Sequence, residues 1–301
     1  MPSTTKDHAD APGSADAPLL RGLVDDAAVF PPAAVPLPMA VRAHAAHRNS
    51  AYAAAVGPLL VPASGVADLV AVLEEEAARA GRGTGDAALD VVLVARPGAE
   101  PTLLTAGVDA LHEEPRVRVV GAELAWHDGW RELGLDDLAV ALEVPRGDDH
   151  DAALADIRAA VHDGRRVVAK LRTGPTPTWP WPDEDEVAAF LVMTNELGVP
   201  FKLTGGLHHA VRGTYEAEGV PEENHGLLNV LLATSAARSG AGREEVAALL
   251  ALRDGAALAE LVAAWPDATA SRVRESFTAY GCCTVTDPLG ELATLGLLDA
   301  F

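Results

Sequence analysis

Eight short runs of strand-forming residues, each followed by a stretch of helical spacing, constrain this chain more than any other feature. They are Ala27 to Phe30, Leu59 to Pro62, Val91 to Ala95, Val117 to Glu123, Ala139 to Val144, Val167 to Arg172, Pro200 to Thr204 and Tyr280 to Val285. Such alternation builds a mostly parallel sheet covered by helices. Most runs begin roughly 22 to 33 residues apart, the length of one strand, one helix and two turns in a closed barrel. The expected fold is therefore an α/β (β/α)8 TIM barrel over residues 19–301, a single domain preceded by a polar, disordered leader over residues 1–18. Between Thr204 and Tyr280 lie further helical stretches at Leu227 to Arg238, Glu244 to Arg253 and Ala256 to Ala264. They predict an inserted helical segment after strand seven, over the catalytic face.

Local signals support this register. Asp183 followed by Glu186 forms a capping-box pattern before Val187 to Leu197, and Gly198 stops that helix. Asn224 is placed to cap Leu227 onward, Val66 to Ala80 carries an apolar stripe suited to a sheet, and Gly81 to Gly85 reads as a flexible turn. The rival is an open doubly wound sheet. It calls for a glycine-rich turn after the first strand, where this chain has Phe30-Pro31-Pro32-Ala33, and proline offers no N–H to a pyrophosphate.

Composition narrows the partners. Against 44 acidic residues stand 23 basic ones, a net charge of −21, which disfavours nucleic acid and anionic membrane surfaces. No run of about 18 uncharged apolar residues occurs, so no membrane span is expected. The two cysteines, Cys282 and Cys283, are sequence neighbours that rarely form a disulfide, and a reducing cytoplasmic location follows as an expectation. They read as small core residues on strand eight.

Side chains at the C-terminal ends of barrel strands point into a common pocket. Candidates there are Asp25 or Asp26, Arg96, Glu123, Glu143, Lys170, Arg172, Lys202, Thr204, His208 and His209. Strand alternation sends Lys170 and Arg172 to one face. Cations inside a barrel must meet carboxylates or bind an anion. Lys202 on the next strand would lie about 6 Å from Lys170, where like-charge repulsion of roughly 3 kcal/mol depresses a lysine pKa by about two units. A lysine so depressed attacks carbonyls to form an imine. Gly205 and Gly206 let an oxyanion approach backbone N–H groups, with Thr204, His209, Arg172 and Arg212 as further substrate contacts.

The other histidines divide by position. His208 reads as a catalytic acid or base. His44 and His47, on the first helix, read as surface residues, and His112, His127, His150 and His162 as helix ends or loops. Between Thr173 and Asp183, Pro175, Pro177, Trp179, Pro180, Trp181 and Pro182 make a stiff aromatic loop, suited to a lid or to a homo-oligomer interface.

Lysines on strands six and seven, the second followed by Gly-Gly, give the stretch around Lys170 and Lys202 to Gly206 a local resemblance to class I aldolases of the deoxyribose-phosphate aldolase type. The resemblance implies that Lys170 forms the imine, Lys202 tunes it and Glu123 relays protons. It stops at Leu171-Arg172-Thr173-Gly174, where that family has a Thr-Ser-Thr-Gly type run, and no Gly-Ser-Ser phosphate turn appears at strand eight.

The functional expectation is a lyase-like, carbonyl-transforming enzyme that needs no cofactor, with Lys170, Lys202, Glu123, Glu143 and His208 as catalytic residues. Its partner is a small, oxygen-rich anionic substrate. One alternative is a metal-dependent isomerase, hydrolase or lyase with a divalent ion on Glu123, Glu143 and His208, and His225 as a further donor. Another is a barrel kept as a binding or scaffold module, its charges neutralising one another.

Overall fold

A computed structural model describes residues 17–301 apart from 81–87, 97, 177 and 218. The expected leader lies outside these residues up to position 16, as does most of the expected turn from Gly81 to Gly85. Eight parallel strands close on themselves: β1 (Val24–Asp26), β2 (Val56–Pro62), β3 (Leu89–Val94), β4 (Val117–Ala125), β5 (Ala139–Glu143), β6 (Val167–Arg172), β7 (Phe201–Thr204) and, last in the ring, β10 (Phe277–Cys282). An antiparallel hairpin, β8 (Gly213–Ala217) and β9 (Val220–Asn224), stands apart from the ring. The helices are α1 (Leu37–Arg48), α2 (Val66–Ala80), α3 (Pro101–His112), α4 (His150–His162), α5 (Glu184–Leu197), α6 (Leu227–Arg238), α7 (Arg243–Leu250), α8 (Gly255–Ala263), α9 (Asp267–Ser276) and α10 (Thr286–Thr294). The closed ring disposes of the doubly wound alternative. No helix among the described residues is long and apolar enough to cross a membrane.

Two strands sit earlier than their sequence pattern suggests. The first is Val24–Asp26, not Ala27 to Phe30, because Asp25 and Asp26 have partners that let them enter a strand: Asp25 meets Lys202, and Asp26 meets His44 at 3.0 Å. His44 is therefore buried on α1 and not a surface residue. The last strand runs Phe277–Cys282. Phe277 stacks on Phe201 of β7, with ring centroids 5.3 Å apart. Arg274 ties down the start of β10 by donating to the carbonyls of Phe277 and Thr278.

Helix ends follow local chemistry. Asp183 accepts from the Glu186 amide at 2.8 Å while Glu186 accepts from the Asp183 amide, and Gly198 ends α5 at φ 65°. Asn224, by contrast, does not cap α6; Gly226 holds that position and the Asn224 amide donates to the Glu222 carbonyl.

Apolar packing is divided in two. The larger core fills the space between barrel and helices. A second, smaller cluster of Ala27, Leu60, Val92 and Val94, with Phe30 and Val120 against it, comes from the ends of β1 to β4.

Candidate functional site

An ionic chain runs through the barrel from Asp25 on β1 to Arg172 on β6. Lys170 and Lys202 are direct register partners on β6 and β7, as the spacing predicts, but neither faces the other's charge unscreened. Lys170 Nζ donates to Glu123 Oε2 at 2.9 Å and lies 3.0 Å from Glu143 Oε2. Lys202 Nζ donates to the other oxygen of Glu123, Oε1, and to Asp25 Oδ2. Arg172 Nε donates to Glu143 Oε1 at 3.0 Å. Three carboxylates and three cations thus alternate in one chain: Asp25, Lys202, Glu123, Lys170, Glu143, Arg172.

The electrostatics follow from burial set against pairing. Burial alone would push both ammonium groups down, but Glu123 and Glu143 outweigh it at Lys170, as Asp25 and Glu123 do at Lys202, and both pKa values are raised. The expected depression of a lysine by its neighbour is thus overturned: the intervening carboxylate cancels the repulsion. Burial would also raise Glu123, yet the two lysines bring it down to about 2. Glu143 is lowered, since Lys170 and Arg172 outweigh its burial. At Asp25 burial wins over Lys202, and the carboxyl is raised.

Above this chain opens a cavity of about 810 Å³. Glu123, Glu143, Lys170, Arg172, Thr204, Gly205, His208 and His209 all line it, whereas Lys202, Gly206 and Arg212 do not. Lys202 lies buried behind Glu123. Gly206 has a packing role: a Cβ there would fall 2.6 Å from the Thr173 carbonyl, so the loops after β6 and β7 touch backbone to backbone. Gly205, at φ 78°, lies beneath the Arg172 guanidinium. Arg212 is held outside the cavity by Glu184 at 2.7 Å and Glu223 at 3.3 Å.

His209 stacks on Tyr215 of the hairpin, ring planes 3° apart, and its Nδ1 pairs with Glu291 at 2.7 Å; it anchors the hairpin base. His208 Nδ1 lies 3.7 Å from Cys283 Sγ and 3.8 Å from Cys282 Sγ. Burial and the neighbouring His209 lower its pKa, so it is neutral near pH 7. Cys282 is core, but Cys283 forms part of the cavity wall, and burial raises both thiols.

The metal set of Glu123, Glu143 and His208 does not form a ligand cluster among the described residues. All four oxygens of the two glutamates are turned toward cations. His225 is fully buried and donates through Nε2 to the Pro182 carbonyl at 2.8 Å, and it forms no group with other metal-ligating side chains among the described residues.

The segment after strand seven contributes to the site through β8 and β9, which bring Tyr215, Glu216, Glu222 and Asn224 to the cavity; no residue of α6 to α9 lines it. This hairpin is not among the eight strand runs expected from the sequence, although Thr214 and Tyr215 before Gly219 and Val220 after it are its signal. From the Trp-Pro loop, Pro175 and Trp181 line the cavity. Trp179 points outward, 45% exposed, with the Arg146 guanidinium 5.0 Å from its ring centre. The bond from His225 to Pro182 clamps this loop to the hairpin's end.

Compared with family models, with curated proteins and with solved structures, the chain matches none, so the geometry and chemistry of this site carry the functional reading.

Proposed function

We propose that the protein is a lyase-like enzyme of carbonyl chemistry in which Lys170 forms an imine with an aldehyde or ketone entering the cavity. The observation that carries this reading is the bracketing of Lys170 Nζ, at the cavity floor, by Glu123 Oε2 at 2.9 Å and Glu143 Oε2 at 3.0 Å. An ammonium must lose a proton before its nitrogen can attack, and here an acceptor waits within hydrogen-bond reach. Glu123, held at about 2 by two lysines, is committed to both of them. Glu143, on the cavity wall, takes the proton. The nitrogen then bonds to the carbonyl carbon, and the carbonyl oxygen leaves as water with the returned proton and one more from the amine, giving a protonated imine. Where the second carbon from the imine carbon bears a hydroxyl, the Glu143 carboxylate takes that proton. The bond between the first and second carbons breaks with its electron pair passing to the cation as an enamine, and the other fragment leaves as an aldehyde or ketone. Protonation of the enamine and addition of water then free Lys170, the aldol cleavage implied by the resemblance of the Lys170 and Lys202 strands to class I aldolases. The reading calls on no cofactor. Of the two lysines only Lys170 lines the cavity, which supports reading it as the nucleophile, with Lys202 holding Glu123 ionised.

The test is borohydride trapping with a panel of small uncharged aldehydes and ketones, followed by intact mass and peptide mapping. A reduced adduct on Lys170, lost in Lys170→Met, is expected. An unlabelled protein across the panel refutes the reading. The complete pairing of the ion chain favours one second reading, a structural network in a non-catalytic barrel; it predicts that Lys170→Met lowers stability while leaving binding of every ligand unchanged.

A further inference from the structure

The cavity is two-sided. Its wall from β1 to β3 is apolar, built on Ala27, Leu60 and Val94 with the Phe30 ring, while the wall from β4 to β6 carries Glu123, Glu143, Lys170 and Arg172. On the apolar side stands a single cation, Arg96, just past the end of β3, its guanidinium carbon 5.1 Å from the centre of the Phe30 ring. Among the described residues Arg96 has no carboxylate partner. The other lining cations, Lys170 and Arg172, are both committed to glutamates.

We infer that the ligand of this cavity is an amphiphilic monocarboxylate: its carboxylate pairs with Arg96, its aryl or alkyl body lies on the Leu60 and Val94 wall, and its far end reaches Lys170. The inference rests on the reading of Lys170 as the reacting group, and it moves the anion contact away from Arg172, Gly205 and Gly206. Three points support it. A guanidinium held over an aromatic ring keeps its N–H edge free for planar, bidentate pairing with a carboxylate. Apolar wall between that edge and the ion chain is best covered by hydrocarbon, not by a polyhydroxylated chain. Finally, five carboxylates and three cations line the cavity, a balance that opposes a phosphate dianion more than a single carboxylate.

The test is calorimetric titration of the full-length protein with 4-phenylbutanoate, 4-phenylbutanamide and butanoate, none of which can form an imine. The carboxylate is expected to bind at least tenfold more tightly than the amide, as a charge-assisted pair requires. In Arg96→Gln, a change at an exposed residue, that ratio should fall to within about twofold, and butanoate should bind at least tenfold more weakly than 4-phenylbutanoate to the unmodified protein. Equal binding of acid and amide, or a preference that survives in Arg96→Gln, overturns the role of Arg96. No binding of 4-phenylbutanoate, or equal binding of butanoate, overturns the apolar wall as the ligand's seat. Since the lysine reading is tested by trapping with uncharged aldehydes, failure of either experiment is distinguishable from failure of the other.

Discussion

Replacing Glu123 with glutamine tests the ion chain at its centre. The side chain is nearly isosteric, so packing is preserved while one charge is removed from between two buried lysines. Breaking a buried ion pair by deleting one partner costs about 3–5 kcal/mol, because the other charge stays buried and uncompensated. A second route gives a similar size: a carboxyl held at about 2 is favoured in its ionised form by ~3 kcal/mol relative to the unfolded chain. For a chain this long, each kcal/mol moves the melting temperature by about 1.6 °C, so Glu123→Gln should melt about 5–8 °C lower. The assay is differential scanning calorimetry at pH 7, with Glu123→Gln combined with Lys202→Met as the control. Removing the lysine with its partner should recover about 0.5–3 kcal/mol relative to the sum of the single changes. A melting point within about 2 °C of the unmodified protein, or strict additivity in the double variant, would refute the claim that Glu123 holds the two lysines in place.

Acid should act through the same group. Its folded pKa lies below the unfolded one, so its contribution is complete above the ordinary glutamate range and is lost as pH falls toward about 2; acid titration of Glu123→Gln should therefore show a shallower loss of stability across that interval. Asp183→Ala removes the capping box of α5 and should cost ~1 kcal/mol, read as a melting point about 1–2 °C lower. Gly206→Ala forces a Cβ onto the Thr173 backbone and should cost about 3 kcal/mol; an unchanged denaturant midpoint would count against the contact between the two loops. Burial and the raised thiol of Cys283 predict slower iodoacetamide labelling at pH 8 than for cysteine in an unfolded peptide, with urea restoring the full rate.

The sequence made the barrel legible because strand and helix periods alternate at a nearly constant interval, and the side chains of Lys170, Arg172 and Lys202 could be assigned to a face from alternation alone. It misplaced β1 because paired aspartates look like a loop until their partners, Lys202 and His44, are known; those lie 177 and 18 residues away. The same blindness produced the wrong direction for the lysine pKa values. Strand register placed the two ammonium groups side by side, but only three-dimensional closure brings Glu123 from β4 between them. Gly206 looks open to an oxyanion in the sequence, which cannot tell a Gly kept for a ligand from one kept, as here, for the Thr173 backbone. Arg96 is legible as a cation at a strand end; that it has no carboxylate partner among the described residues is not.

The balanced ion chain also governs what the resting protein does with stray electrophiles. With its charge compensated on both sides, Lys170 waits as an ammonium, and an ammonium has no lone pair to offer an acyl donor or a sugar aldehyde. On the proposed imine reading, reactivity is released by the ligand itself, when its arrival shifts a proton toward Glu143. A lysine kept as an ammonium in this way is latent, with little tendency toward acylation or glycation.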